Sequence, residues 1–176
     1  MAAIAPKNLI FVDESGANRS FCRLWARSPR GLRALGSAPQ NGGENVSILS
    51  ALSLQGALAS MHVVGSTDGE VFLSYVEKVL VPCLWPGALV VLDNLSAHKV
   101  TGVEEAIEAT GARLHYLPPY SPDFNPIEQA WSKLKSHLRK KAARTYSALS
   151  RAIAQGLKLI TPNDASGFFS HCGYHG

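Results

Sequence analysis

The stretch "GALVVLDN" (Gly87 to Asn94) decides the fold class of this chain. Its central residues, "ALVVL", are apolar without interruption, a pattern typical of a strand that is buried on both faces of a sheet. Such strands lie inside parallel or mixed sheets, because crossover helices cover both faces. The stretch then reaches Asp93, so we predict a carboxylate at the end of a central parallel strand.

Segments on either side of this stretch predict the rest of a mixed sheet. The other predicted strands are "NLIFVDESG" (8–16), "FCRLWARS" (21–28), "VSILSALSL" (46–54), "LASMHVVGS" (58–66) and "ARLHYLP" (112–118). The predicted helices span about 68–81, 97–111, 125–141 and 145–160. Hairpins come first and strand–helix–strand crossovers later, so we predict one α/β domain with helices on both faces of the sheet.

Size and cysteine content restrict the class of protein further. The chain has 176 residues, of which 46% are hydrophobic, enough for one domain with a sizeable core. No apolar run approaches the ~20 residues that a membrane span needs, and the first residues lack a signal-peptide layout. The three cysteines are an odd number without a CxxC pair, which argues against a disulfide framework and fits a reducing cytoplasm.

Basic residues are concentrated in two short segments. The net charge of +4 favours an acidic partner without identifying it. One group is Lys133, Lys135, Arg139, Lys140, Lys141 and Arg144, and the other is Arg19, Arg23, Arg27, Arg30 and Arg33. They indicate either nucleic-acid binding or simply a solvated helix face and a basic loop, and the charges alone leave both interpretations open.

The stretch "PYSPDFNPIEQAW" (119–131) predicts the start of the late helix. Asn125 is a good N-cap residue, and Pro126 suits the first helical position. Glu128 then occupies the capping-box position, so it can serve only to cap the helix. Trp131 belongs to the apolar stripe of this helix, and we predict that it and Trp25 lie in the core.

Glu128 has a second interpretation, because it shares a helix face with basic residues. By i+4, i+7 and i+11 spacing that face also holds Ser132, Lys135 and Arg139. Glu128 would therefore lie at the N-terminal end of a row of basic side chains, a basic stripe. Such a stripe could lie along a phosphate backbone while the acid holds a cation.

Three acids stand at the ends of predicted elements. Asp13 ends the first strand, Asp93 ends the buried strand and Glu128 begins the late helix. If the two strands are neighbours, the three carboxylates converge, and they repel one another unless a cation joins them. Oxygen ligands of this kind suit Mg²⁺ or Mn²⁺. Two such ions about 3.5–4 Å apart can hold the attacking and leaving oxygens of a phosphodiester displacement.

Four segments resemble a known family. They are "FVDESG" (11–16), "VVLDNLSAHK" (90–99), "LPPYSPDFNPIEQAWSKLK" (117–135) and "FFSHCGY" (168–174). With 34 residues between Asp93 and Glu128, the chain resembles the catalytic domain of DDE transposases of the mariner superfamily, bacterial insertion-sequence 630 family. The resemblance implies a ribonuclease H-like fold. Its mixed five-stranded sheet would have three antiparallel strands followed by parallel ones, with room for an extra hairpin strand.

The resemblance also implies a function, with Asp13, Asp93 and Glu128 as catalytic and metal-binding residues for two Mg²⁺ or Mn²⁺ ions. Cleavage and strand transfer would proceed by cut-and-paste transposition, with a homodimer acting on double-stranded transposon ends and a TA target. We expect DNA contacts from Lys133, Lys135, Arg139 and Lys140, together with Asn94 and His98 of the matched motif. His98 would contact a phosphate or steady the site, and the alternative is a helix-start residue without a chemical role. The location would be the bacterial cytoplasm, at the nucleoid.

In one respect the chain departs from the family pattern. Relatives carry helix-turn-helix DNA-binding domains before the first catalytic aspartate, whereas twelve residues precede Asp13 here. We therefore expect a single catalytic domain over 1–176 without that region. It would be a second reading frame, fused by frameshifting to a helix-turn-helix partner or acting beside it, or else a decayed remnant. The alternatives are a catalytically silent DNA-binding regulator of an intact transposase and a ribonuclease H-like nuclease for RNA–DNA hybrids.

Overall fold

The computed structural model describes residues 4–95, 98–118 and 122–175. Its strands are β1 (Leu9–Ala17), β2 (Val46–Ser53), β3 (Gly56–Val64), β4 (Leu89–Leu92) and β5 (Arg113–Tyr116). Its α-helices are α1 (Gly69–Tyr75), α2 (Val103–Glu108), α3 (Ile127–Lys141), α4 (Tyr146–Lys158) and α5 (Pro162–His171). After α1 the chain continues through a π-helical turn (Val76–Leu80) and a 3-10 turn (Val81–Cys83).

The strands form one mixed sheet in the order β3-β2-β1-β4-β5. The β1–β2 and β2–β3 pairs are antiparallel, while β4 pairs in parallel with both β1 and β5. The predicted mixed five-stranded sheet is therefore confirmed. The uninterrupted apolar run is indeed a parallel strand with neighbours on both sides, as its sequence indicated.

Each face of the sheet is covered by a separate hydrophobic cluster, because alternate residues of a strand point to opposite faces. On β1, Phe11 packs into one cluster while Ile10 and Val12 pack into the other. The Phe11 cluster includes buried residues of α3, α4 and α5, namely Ile127, Ala130, Trp131, Leu134, Leu138, Leu149, Ala152, Ile153, Ala165 and Phe169. The other cluster includes Phe72, Tyr75, Val103 and Ile107 of α1 and α2.

Helix α3 is held against α4 at very short range. A Cβ atom on Gly156 of α4 would lie 2.5 Å from Cδ1 of Leu134 on α3, so no larger residue fits without a shift. The buried stripe predicted for α3 is confirmed, since Ile127, Trp131, Leu134 and Leu138 are all buried. This packing fixes the middle of α3 against α4, and the buried stripe holds the helix in the cluster on this face of the sheet.

The predicted strand "FCRLWARS" (21–28) does not form, and the segment between β1 and β2 contains no strand. Trp25, predicted to lie in the core, is 88% exposed, and Leu24 is 65% exposed. The alternation in this segment is real, but no neighbouring strand pairs with it, and of its apolar residues Phe21 packs against the core while Leu24 and Trp25 are exposed. The predictions of an extra hairpin strand and of a buried Trp25 were wrong.

One helix was not predicted, and another begins later in the sequence than predicted. Helix α5 was not predicted, although Thr161 caps it and Asp164 completes a capping box, with Pro162 at its first position. Helix α2 begins at Val103 rather than near 97, because Gly102 precedes it in a left-handed conformation (φ 98°) that ends the preceding turn. No helix in the described ranges is long and apolar enough to cross a membrane.

Candidate active site

The pairing of β1 with β4 brings the first two acids together. The parallel register matches Val12 with Leu92, so the next residues, Asp13 and Asp93, follow side by side. Asp13 was predicted to end its strand, and this prediction was wrong. Strand β1 continues past it to Ala17 through its antiparallel pairing with β2. Asp93 does follow the last residue of β4, so the two carboxylates lie where the parallel part of the sheet ends.

Asp13 is a buried carboxylate held by two hydrogen bonds. Its side chain accepts one from the backbone N–H of Glu14 at Oδ1 (2.7 Å) and one from Nε1–H of Trp131 at Oδ2 (3.0 Å). The residue is 6% exposed. Both carboxylate oxygens therefore have a donor that restricts the rotation of the side chain.

The pKa of Asp13 is raised from 3.8 to about 7, mainly because burial disfavours its charged form. The hydrogen bonds from Glu14 and Trp131 act in the opposite direction and lower the pKa. The nearby carboxylates of Glu128 and Asp93 raise it further by repulsion. Asp93 and Glu128 are thus both close enough to Asp13 to act on its charge.

Asp93 lies beside a buried histidine. Its Oδ1 accepts a hydrogen bond from the N–H of Leu95 (3.2 Å), and Nδ1 of His98 is 2.5 Å from the same oxygen. That close approach lacks the angle of a good hydrogen bond. The His98 ring is stacked on Phe72, with centroids 4.2 Å apart, and is 1% exposed. The buried ring presents no surface to a DNA phosphate, and its Nδ1 lies against the Asp93 carboxylate.

Glu128 is exposed in the first turn of α3 and does not form the predicted capping box. The N-cap position is taken by Pro126, and no side chain caps the helix. Asn125, the predicted N-cap, is 6% exposed, and its Oδ1 has no hydrogen-bond partner among the described residues. Since no capping hydrogen bond forms at this helix start, no contact among the described residues commits the Glu128 carboxylate to a capping role.

The donor set of this site suits a hard divalent cation. Three carboxylates supply oxygen ligands, and the burial and mutual repulsion that raise the pKa of Asp13 are effects that a bound cation would offset. Within the described ranges, no three or more His, Cys, Asp or Glu side chains already lie close enough together to hold one ion. The three carboxylates fit Mg²⁺ or Mn²⁺ by the chemistry of their oxygen atoms, and a bound ion would have to draw them closer together.

The predicted DNA-contacting cations lie along α3 in different surroundings. Nζ of Lys133 is 2.5 Å from Oδ2 of Asp164, so its charge is paired. The Arg139 guanidinium lies over the ring of Phe21 at 5.4 Å. Lys135 is half-buried and Lys140 is exposed. Asn94 is half-buried next to Asp93, away from these side chains in the sequence.

Sequence reasoning assigned Trp131 to the core and missed its polar contact with Asp13. The available signal was its position three residues after Glu128, on the side of the helix that faces the sheet. A buried indole N–H usually finds an acceptor. The nearest acceptors that the sequence offered at that edge were the predicted acids.

The family of this chain follows from a match over most of its length. The protein-family model with the description "DDE superfamily endonuclease" matches residues 8–150, which contain all three acids. The chain belongs to this family. Among curated proteins no match was found.

Solved structures similar to this chain include several of the Mos1 transposase. A pre-cleavage Mos1 transpososome matches with a TM-score of 0.74 and 10% identity, over 96% of this chain and 54% of that one. A Mos1 mariner paired-end complex with Mn matches with a TM-score of 0.72 and 12% identity, over 95% and 53%. The Mos1 catalytic domain matches with a TM-score of 0.65 and 10% identity, over 96% and 78%.

These similarities establish the fold of the chain. Because the identity is so low, they show the fold alone. That fold is the ribonuclease H-like architecture of the sheet and its helices, as the sequence resemblance implied. The chain spans about half the length of the Mos1 chains in the transpososome and in the paired-end complex.

Proposed function

We propose that this chain is the catalytic domain of a cut-and-paste DNA transposase of the insertion-sequence 630 type, with Asp13, Asp93 and Glu128 as its catalytic acids. The observation that supports this most is the placement of Asp13 on β1 beside Asp93, which follows the parallel neighbour β4, with Glu128 close enough to raise the pKa of Asp13. Family membership and the Mos1-like fold support the same class of chemistry.

Each acid would contribute from a different structural setting. Asp13, held at both oxygens, would offer the most rigid ligand. Asp93, partly exposed and steadied by His98, would offer the second. Glu128 would close the site from the exposed first turn of α3. When bound, two Mg²⁺ or Mn²⁺ ions would activate the attacking water or 3′-hydroxyl and neutralise charge on the phosphodiester.

The DNA backbone would approach along the exposed side of α3. Lys135, Arg139 and Lys140 follow Glu128 along this helix, so a phosphate chain on these cations would lead towards the acids. We propose that the active form is a homodimer on transposon ends and that a helix-turn-helix region, fused or separate, supplies recognition of the ends. The TA target belongs to the same proposal.

The test is a cleavage assay with Mn²⁺ on duplex DNA that carries the element's ends, on a scrambled duplex, and on an RNA–DNA hybrid. Because end recognition would depend on the helix-turn-helix region, the assay uses the chain joined to that region. Nicking of the end duplex that is lost in Asp13→Asn, Asp93→Asn and Glu128→Gln supports the proposal. Cleavage of the hybrid alone would indicate a ribonuclease H-like nuclease. DNA binding without metal-dependent cleavage would indicate a silent regulator.

A further inference from the structure

One hydrogen bond joins the helix that bears the third acid to the strand that bears the first. Nε1–H of Trp131, on α3, donates to Oδ2 of Asp13, on β1, over 3.0 Å and across 118 positions in the chain. Trp131 is 2% exposed and Asp13 is 6% exposed, so water does not compete for this bond. A bond between a donor and an ionised carboxylate is about twice as strong as one between neutral groups.

We infer that Trp131 is a positioning residue, which sets the orientation of the Asp13 carboxylate and its distance from Glu128 for binding a divalent cation. This inference rests on the proposed function, because it assigns a role within the same site. Trp131 itself would touch neither the cation nor the DNA.

The carboxylate of Asp13 can be held in this way and still bind a cation. Each oxygen of an ionised carboxylate has two lone-pair positions. The N–H of Glu14 takes one position on Oδ1 and the indole takes one on Oδ2, so one position remains on each oxygen. The two bonds restrict rotation of the carboxylate plane, which leaves those remaining positions with defined directions.

Trp131 also restricts the placement of α3. It lies three residues after Glu128, so both side chains belong to the first turn and a half of the helix. A helix that rotated or slid along its axis would pull the indole from Asp13 while it moved Glu128. The bond therefore couples the positions of two acids that come from distant parts of the sequence.

A purely structural tryptophan would behave differently from a positioning one. Its contribution would come from packing in the cluster with Ile127 and Leu134, and a phenylalanine would preserve part of that packing. The N–H is the only polar atom of the indole, and a substitution to phenylalanine removes it. Trp85 provides a matched control, because it is partly buried against the opposite face of the sheet.

The experiment compares the wild type, Trp131→Phe and Trp85→Phe in the full chain, with Mn²⁺ binding measured by calorimetry and thermal unfolding measured with and without the ion. We expect Trp131→Phe to fold and to bind Mn²⁺ about tenfold more weakly, the lower end of the loss seen when a supporting residue of a metal site is removed. Trp85→Phe should bind as the wild type does.

A folded Trp131→Phe protein that binds Mn²⁺ as tightly as the wild type would overturn the inference and leave the proposed function intact. A wild type that binds no Mn²⁺, alone or with end DNA, would overturn both. If Trp131→Phe does not fold, the double variant Trp25→Phe/Trp85→Phe leaves Trp131 as the only tryptophan fluorophore. In that variant, titration with Mg²⁺ should change the emission of Trp131 over the same Mg²⁺ concentrations at which the ion raises the melting temperature. Constant emission over that range would overturn the inference.

Discussion

Nζ of Lys133 on α3 lies 2.5 Å from Oδ2 of Asp164 on α5. The same carboxylate oxygen accepts hydrogen bonds from the backbone N–H (2.8 Å) and the hydroxyl (2.6 Å) of Thr161. One acid thus completes the capping box of α5 and neutralises a cation of α3. Lys133 therefore differs from Lys135, which has no acidic partner among the described residues, although both belong to the same basic run of sequence.

This difference predicts unequal contributions to DNA binding. Lys135→Ala should reduce the salt dependence of duplex binding, by about 0.9 in the slope of log K against log [salt] for each phosphate that the variant no longer neutralises. Lys133→Ala should reduce it less, because its charge is already paired. Binding to a scrambled duplex by fluorescence anisotropy at several salt concentrations measures both slopes. Lys78→Ala, exposed on the opposite side of the sheet, is the control. Equal reductions for Lys133 and Lys135 would contradict the prediction.

The Lys133–Asp164 contact also predicts sensitivity to acid. The pKa of Asp164 is lowered from 3.8 to about 2, first by the hydrogen bond from Lys133 and then by those from Thr161. Its stabilising contribution is therefore complete above pH 4 and is lost as the pH falls from 4 towards 2. Asp164→Asn should show less loss of stability over that interval than the wild type. Urea unfolding at a series of pH values tests this, and parallel pH profiles would refute it.

Glu128→Gln should leave the stability of the fold almost unchanged. The side chain is exposed and caps nothing, so we expect a change in the free energy of unfolding of no more than about 0.5 kcal/mol. Metal-dependent cleavage should nevertheless be abolished if Glu128 is a ligand. Urea unfolding and the cleavage assay on one preparation measure both effects. A well-folded variant that cuts DNA at the wild-type rate would exclude Glu128 from the catalytic set.

Asp13→Asn should stabilise the metal-free protein while it removes the effect of the ion. At pH 8 the wild-type carboxylate is mostly ionised, although it is buried and close to Asp93 and Glu128. Removal of that charge should raise the free energy of unfolding, although the gain is reduced because asparagine has one acceptor oxygen and can take only one of the hydrogen bonds from Glu14 and Trp131. Millimolar Mn²⁺ should raise the melting temperature of the wild type but not of the variant. If the stability of the variant relative to the wild type does not increase between pH 5 and pH 8, the charge of Asp13 is not unfavourable there.

Most of the fold was predictable because its signals are local. Apolar runs and alternation identified all five strands, and helical spacing identified α3 and α4, since each pattern reports which side of an element is buried. The same reasoning failed where burial did not follow the pattern. The segment 21–28 alternates like a strand, but Trp25 within it is exposed because no other element covers it.

The candidate acids were predictable, but their environments were not. Sequence motifs alone singled out Asp13, Asp93 and Glu128, through their positions at the ends of predicted elements and their resemblance to a family. The tertiary structure alone decided that Asp13 is buried in mid-strand, that Asn125 does not cap α3, and that Trp131 donates to Asp13. The physical reason is that these features depend on the β1–β4 register and on the docking of α3. Both are contacts between residues far apart in the chain, which no local periodicity records.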